Sequence, residues 1–155
     1  YEIPLRLVGS EMCIRDSNVT EACLLTDTPY RETEDLSWWR DLLRRVGDLG
    51  PRCPVLTGVP FGPDRLGVMA LDPESGGIFQ YHTPRVHDHF HGTGDIFSAA
   101  CAGAMVRGKG LPDALRLAAD FTLACIQATQ RDPNAPWYGV EFEKALHLLP
   151  GLLER

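Results

Sequence analysis

His91-Gly92-Thr93-Gly94-Asp95-Ile96-Phe97-Ser98-Ala99-Ala100-Cys101-Ala102-Gly103-Ala104 joins a glycine-rich turn to a run of small residues without a break. Gly92 and Gly94 let the backbone turn tightly and come close to a ligand with no Cβ in the way. The small residues predict a helix from Asp95 to Val106 that can lie close to a sheet or a second helix. The first N–H groups of such a helix have no partner inside it, and the dipole adds partial positive charge there. That end suits a phosphate, above all the charge that develops on a transferring phosphoryl group. Asp95 could accept the proton of an alcohol as its oxygen attacks a γ-phosphate. The same residues also fit ordinary capping, with Thr93 or Asp95 closing the helix and the glycines making a turn.

Upstream, Glu34 to Leu49 has Leu36, Trp39, Leu42, Leu43 and Val46 at steps of three and four. Arg40, Asp41, Arg44 and Arg45 lie between them, the pattern of an amphipathic helix. Gly47 and Gly50-Pro51 stop it. Trp38 and Trp39 are neighbours on that helix, so one belongs to the core and the other is half-exposed. Thr20 to Leu25 predicts a short helical turn. Pro54 to Val59 predicts a buried strand, and Leu66 to Leu71 and Ile78 to Thr83 predict a hairpin around the turn Asp72 to Gly77. Downstream, Leu111 to about Thr129 predicts a helix with Pro112 in its first turn. Phe142 to Leu149 predicts a last short helix, with Trp137, Tyr138 and Phe142 as a packing cluster. Helices interleaved with strands make this an α/β chain. Few strands are visible for the helices present, so the chain has the look of part of a larger domain.

The 155 residues carry a formal charge of −6, with 44% apolar and 23% charged residues, which fits a globular protein without the basic face of a nucleic-acid or membrane-surface binder. No apolar run reaches the roughly 18 residues of a membrane span. Tyr1 to Ser17 lacks the pattern of a signal peptide, and the expected compartment is the cytoplasm. Cys13, Cys23, Cys53, Cys101 and Cys125 are odd in number and widely spaced. That points to reduced, mostly buried thiols rather than a disulfide framework or a cysteine zinc site. Arg6 to Ser17 resembles the translation of a sequencing adapter. Residues 1–17 are taken as non-native or disordered, and 18–155 as the interpretable chain.

His91-Gly92-Thr93-Gly94-Asp95-Ile96-Phe97 with its small-residue helix resembles the signature of the ribokinase-like superfamily. Asn18-Val19-Thr20-Glu21-Ala22-Cys23-Leu24-Leu25 resembles that superfamily's N-x-x-E element. Together they look most like the pyridoxal and pyridoxamine kinases. Val55-Leu56-Thr57-Gly58-Val59 and Trp137-Tyr138-Gly139-Val140-Glu141-Phe142-Glu143 are similar to further segments of those enzymes. The resemblance implies the C-terminal part of a ribokinase-like three-layer α/β/α sandwich whose N-terminal half is absent. It implies ATP-dependent phosphorylation of the 5′-hydroxymethyl group of pyridoxal, pyridoxamine or pyridoxine, forming pyridoxal 5′-phosphate in vitamin B6 salvage. Asp95 would be the general base, with Gly92, Thr93 and Gly94 as the anion hole for the γ-phosphate. Asn18, Glu21, Thr57, Gln80, Tyr81, His82 and Thr83 would lie at the ATP site, and Glu21 would orient Mg²⁺ through water. The full-length protein would be a homodimer without nucleic-acid or membrane partners, and this portion alone would be inactive.

Bland alternatives stand beside these. Glu21 also fits a solvated first-turn helix residue, and Thr57 a hydroxyl bonding backbone at a strand end. A kinase for hydroxymethylpyrimidine, a sugar or a nucleoside is a second function. A non-catalytic metal-binding module is a third, because His87, His89 and His91 would share one side of an extended segment.

Overall fold

The computed structural model describes residues 14–72, 75–86, 90–136 and 138–154. They fall into two compact units that divide after Gln80. The described sheet has four strands in the order β1-β2-β3-β4: Ile14–Asn18, Cys53–Pro60, Arg65–Leu71 and Ile78–Pro84.

In the first unit β1 pairs parallel with β2, and β2 pairs antiparallel with β3. Parallel neighbours need a crossover, and here α1 (Val19–Leu25) and α2 (Leu36–Asp48) provide it. Pro54, Val55 and Leu56 are buried in succession rather than alternately, the mark of a strand covered on both faces. Between Thr57 and Val59 the β2–β3 register shifts, and Gly58, at φ 69°, occupies the irregularity. A glycine takes that left-handed backbone without steric cost.

The helix over Leu36–Asp48 forms for the reasons its spacing suggests. Trp39, Leu42, Leu43 and Val46 are buried together against Val19, Ala22 and Cys23 of α1 and Leu56, Val59 and Met69 of the strands. Full burial of a side chain such as Leu43 is worth about 1.5–3 kcal/mol. Asp35 caps the helix, its Oδ1 accepting from the Ser37 N–H at 2.8 Å. Trp39 is buried and donates Nε1–H to the Thr33 carbonyl at 3.0 Å. Trp38 is half-buried and meets the Trp39 ring edge-on at 4.7 Å.

The second unit holds α3 (Thr93–Val106), α4 (Leu111–Gln130), a 3-10 helix (Phe142–Leu148) and α5 (Leu149–Leu153). The long helix α4 buries Ala114, Leu115, Leu117, Ala118, Phe121 and Cys125. Phe121, Cys125 and Ala145 form a cluster with Ile96 and Ala100 of α3 and with Leu149 and Leu152 near the C-terminus. Thr129 Oγ1 donates to the Cys125 carbonyl at 2.8 Å and accepts from the Glu141 N–H at 2.9 Å, tying the terminal segment to α4. Lys144 pairs with both Asp132 and Glu141 beside it.

Four expectations change. Residues 14–17, set aside in the sequence, form most of β1, whereas residues 1–13 lie outside the described set. The helix expected from Asp95 begins two residues earlier, at Thr93. The single helix expected over Phe142 to Leu149 is a 3-10 segment followed by α5, because Pro150 has no N–H to continue an unbroken ladder and sits in the first turn of a new helix. Tyr138 and Phe142, expected in a packing cluster, are exposed, and Trp137, the third member of that cluster, lies outside the described residues. Among the described residues no helix is long and apolar enough to cross a membrane.

Candidate active site

The glycine turn ends in a helix start that is open to solvent. Gly92 is the N-cap of α3 at φ 86°, ψ −1°, with no side-chain capping bond. Its carbonyl accepts the Ile96 N–H at 3.1 Å, so Thr93, Gly94 and Asp95 form the first turn. Their N–H groups are the ones a helix cannot satisfy internally. Gly92, Gly94 and Asp95 are exposed, Thr93 is half-buried, and the helix buries Phe97, Cys101 and Ala104 instead. A Cβ built on Gly92 or Gly94 would meet nothing within 4 Å among the described residues. Ser98 donates its hydroxyl to the Gly94 carbonyl at 2.9 Å. The arrangement can present amide donors to an anionic group and, beside them, one carboxylate to a hydroxyl.

Asn18, Glu21 and Thr57 come together in the first unit. Asn18 ends β1, caps α1 and stands opposite Thr57 in the parallel β1–β2 register. Its Oδ1 accepts the Glu21 N–H at 2.8 Å, while Glu21 Oε2 accepts the Asn18 N–H at 3.0 Å. That is a reciprocal capping box, and it fixes the exposed Glu21 carboxylate where the first strand ends. In open α/β sheets, ligands gather outside the carboxyl ends of the parallel strands. Thr57 is half-buried directly before the irregularity at Gly58.

Along β4, Gln80 and His82 are exposed while Tyr81 and Thr83 are half-buried. The Tyr81 hydroxyl donates to Asp120 Oδ1 of α4 at 2.8 Å. Gln80 closes the first unit, whereas Tyr81, His82, Thr83 and the Gly92–Asp95 turn belong to the second.

Of the three histidines in the metal alternative, only His91 is among the described residues. His91 is exposed, and His87, Asp88 and His89 lie outside them. No group of three metal-ligating side chains gathers among the described residues. Cys23, Cys53, Cys101 and Cys125 form no disulfide among the described residues, and Cys13 lies outside the described set. Burial raises the thiols of Cys23, Cys53 and Cys125.

Two features of these sites escaped the sequence reading. Asn18 and Glu21 are three apart at a helix start, a spacing from which the capping box was readable. Asp120 and Tyr81 carry no local signal, since only the fold brings them together.

Residues 11–136 match the family model described as phosphomethylpyrimidine kinase. No curated protein matches the chain. Among solved structures, one is a protein of Bacteroides thetaiotaomicron VPI-5482 provisionally assigned as a phosphomethylpyrimidine kinase. Its rhombohedral form is 29% identical with a TM-score of 0.83, over 94% of this chain and 50% of that one. Its orthorhombic form with pyridoxal is 30% identical with a TM-score of 0.81, over 94% and 52%. Pyridoxal kinase from Lactobacillus plantarum is 29% identical with a TM-score of 0.74, over 97% and 52%. Pyridoxal kinase from Leishmania donovani, in complex with ADP and pyridoxamine, shares the fold at 18% identity and a TM-score of 0.74, over 89% and 48%. The chain thus spans about half the length of the solved structures it matches.

Proposed function

We propose, from the premise that this chain belongs to the phosphomethylpyrimidine kinase family, that it is the C-terminal part of an ATP-dependent kinase for the hydroxymethyl group of a vitamin B6 form. Its fold is the α/β fold of the ribokinase-like kinases. The observation that carries the proposal is the open, uncapped first turn of α3 with Asp95 exposed in it. Pyridoxal in the Bacteroides structure and the activity named for the Lactobacillus protein favour vitamin B6 as the acceptor. The family description favours a second reading, with a hydroxymethylpyrimidine as acceptor.

The chemistry follows from the residues. Asp95 accepts the proton of the substrate hydroxyl as that oxygen forms a bond to the γ-phosphorus. The bond from the γ-phosphorus to the β,γ-bridging oxygen breaks, and ADP leaves. The N–H groups of Thr93, Gly94 and Asp95 stabilise the charge that spreads over the transferring phosphoryl oxygens. Gly92 and Gly94 keep Cβ atoms out of the phosphate's approach. Thr57, Gln80, Tyr81, His82 and Thr83 serve the nucleotide. Mg²⁺ suits a site with one exposed carboxylate completed by phosphates and water. Glu21, held by Asn18, would provide that carboxylate, and the ion would screen phosphate charge there.

Replacing Asp95 by Asn, in the chain extended to the length of its relatives, is expected to lower kcat by about 100-fold or more. ATP affinity should stay within a few-fold of the parent's. Turnover within a few-fold of the parent's would remove Asp95 from the chemistry. Comparing kcat/KM for pyridoxal, pyridoxine, pyridoxamine and hydroxymethylpyrimidine decides between the two acceptors.

A further inference from the structure

Tyr81 and Asp120 are 39 residues apart, yet the Tyr81 hydroxyl reaches Asp120 Oδ1 at 2.8 Å in a partly buried setting. Asp120 lies in the middle of α4, where aspartate is a poor helix former. It is half-buried there and lines a cleft of about 170 Å³ with Tyr81, Leu117 and Leu152. Asp113 and Arg116, nearer the start of the helix in the same cleft, pair with each other at 3.0 Å. A hydroxyl donating to a carboxyl oxygen makes a directional link.

In a strand the roll of the backbone decides which side chains face outward. Tyr81 and Thr83 lie on the half-buried side of β4, and His82 lies on the exposed side. We propose that Asp120 is a positioning residue for the nucleotide-side segment Tyr81–Thr83, fixing Tyr81 so that His82 is held outward. Resting on the nucleotide role given to that segment above, it adds a group on α4 that touches no ligand and acts through Tyr81.

In the chain extended to the length of its relatives, Mg·ADP binding is measured by titration calorimetry for the parent, Tyr81→Phe, Asp120→Ala, Asp120→Asn and the Tyr81→Phe/Asp120→Ala double variant. Thermal unfolding is followed on the same samples, and binding is read well below each midpoint. Loss of the hydrogen bond in Tyr81→Phe or Asp120→Ala is expected to raise Kd by about five- to tenfold. The double variant should be no worse than the poorer single one, because both remove the same link. Asp120→Asn keeps an oxygen acceptor and should stay within about twofold of the parent. If Asp120→Ala does not fold, the near-isosteric Tyr81→Phe decides alone. Unchanged Kd in folded Tyr81→Phe, whatever its midpoint, would leave Asp120 a purely structural residue and overturn the proposal. A loss in Asp120→Asn as large as in Asp120→Ala overturns the hydrogen-bond mechanism. A parent chain that binds no Mg·ADP overturns the nucleotide role itself, a failure visible before any variant is made.

Discussion

Gly92 and Gly94 stand two residues apart and do different work. Gly92 holds φ 86°, where a side chain is strained although nothing lies within 4 Å of its would-be Cβ. Gly92→Ala is therefore expected to lower unfolding free energy by about 1–2 kcal/mol from backbone strain alone. Gly94 sits inside the helix with open space before it and no positive φ. Gly94→Ala should be neutral or stabilise by up to about 1 kcal/mol, because alanine is the better helix former. If a phosphate approaches this turn, the same methyl group obstructs it, and kcat/KM falls while urea denaturation shows a sound fold. A Gly94→Ala variant with both stability and kcat/KM intact would favour plain capping. At this scale the sequence was half legible. The glycine–aspartate turn was visible because it is local. The place of Glu21 at a helix start is local as well, and its structural partner is the Asn18 backbone.

Elements were legible where burial follows a period and less so where it does not. The helix α2 could be placed from Trp39, Leu42, Leu43 and Val46, because one face meets the core and the other meets water. Residues 14–17 of β1 resemble an adapter translation and carry no apolar alternation, and the strand takes its place from pairing with β2. The interior of α4 gives a test at this scale. Cys125 is fully buried, and desolvation pushes its thiol up from 9.0 to about 11. In the unfolded chain the thiol ionises first, so the folded state loses stability as pH rises from about 9 to about 11. Below about 9 the contribution is fully present. Urea midpoints for the parent should fall across that window more steeply than those of Cys125→Ala, which also loses packing but has no thiol to titrate. Parallel pH profiles for the two proteins would show that burial does not hold this thiol neutral.

At the scale of the whole molecule, the α/β class was legible because helical and strand periods alternate along the chain. The meeting of Tyr81 with Asp120 was not, since no local pattern encodes a contact across 39 residues. The chain corresponds to about half the length of its structural relatives, and large apolar side chains remain in contact with water. Leu24 on α1 and Val106 at the end of α3 are each 77% exposed. Isolated exposed leucines and valines are ordinary, so exposure alone does not decide whether these helices meet further chain. Extension does. If this is the C-terminal part of a larger kinase domain, supplying the half that its relatives possess should bury such side chains and add cooperative structure. Covalent extension to the relatives' length is then expected to raise the thermal midpoint by several degrees, as about 1 kcal/mol or more of added stability would do. It should also reduce binding of a hydrophobic dye to the native protein. An extended chain with the same midpoint and the same dye binding as the 155 residues would mean that these units need no further half, and the C-terminal placement would fall.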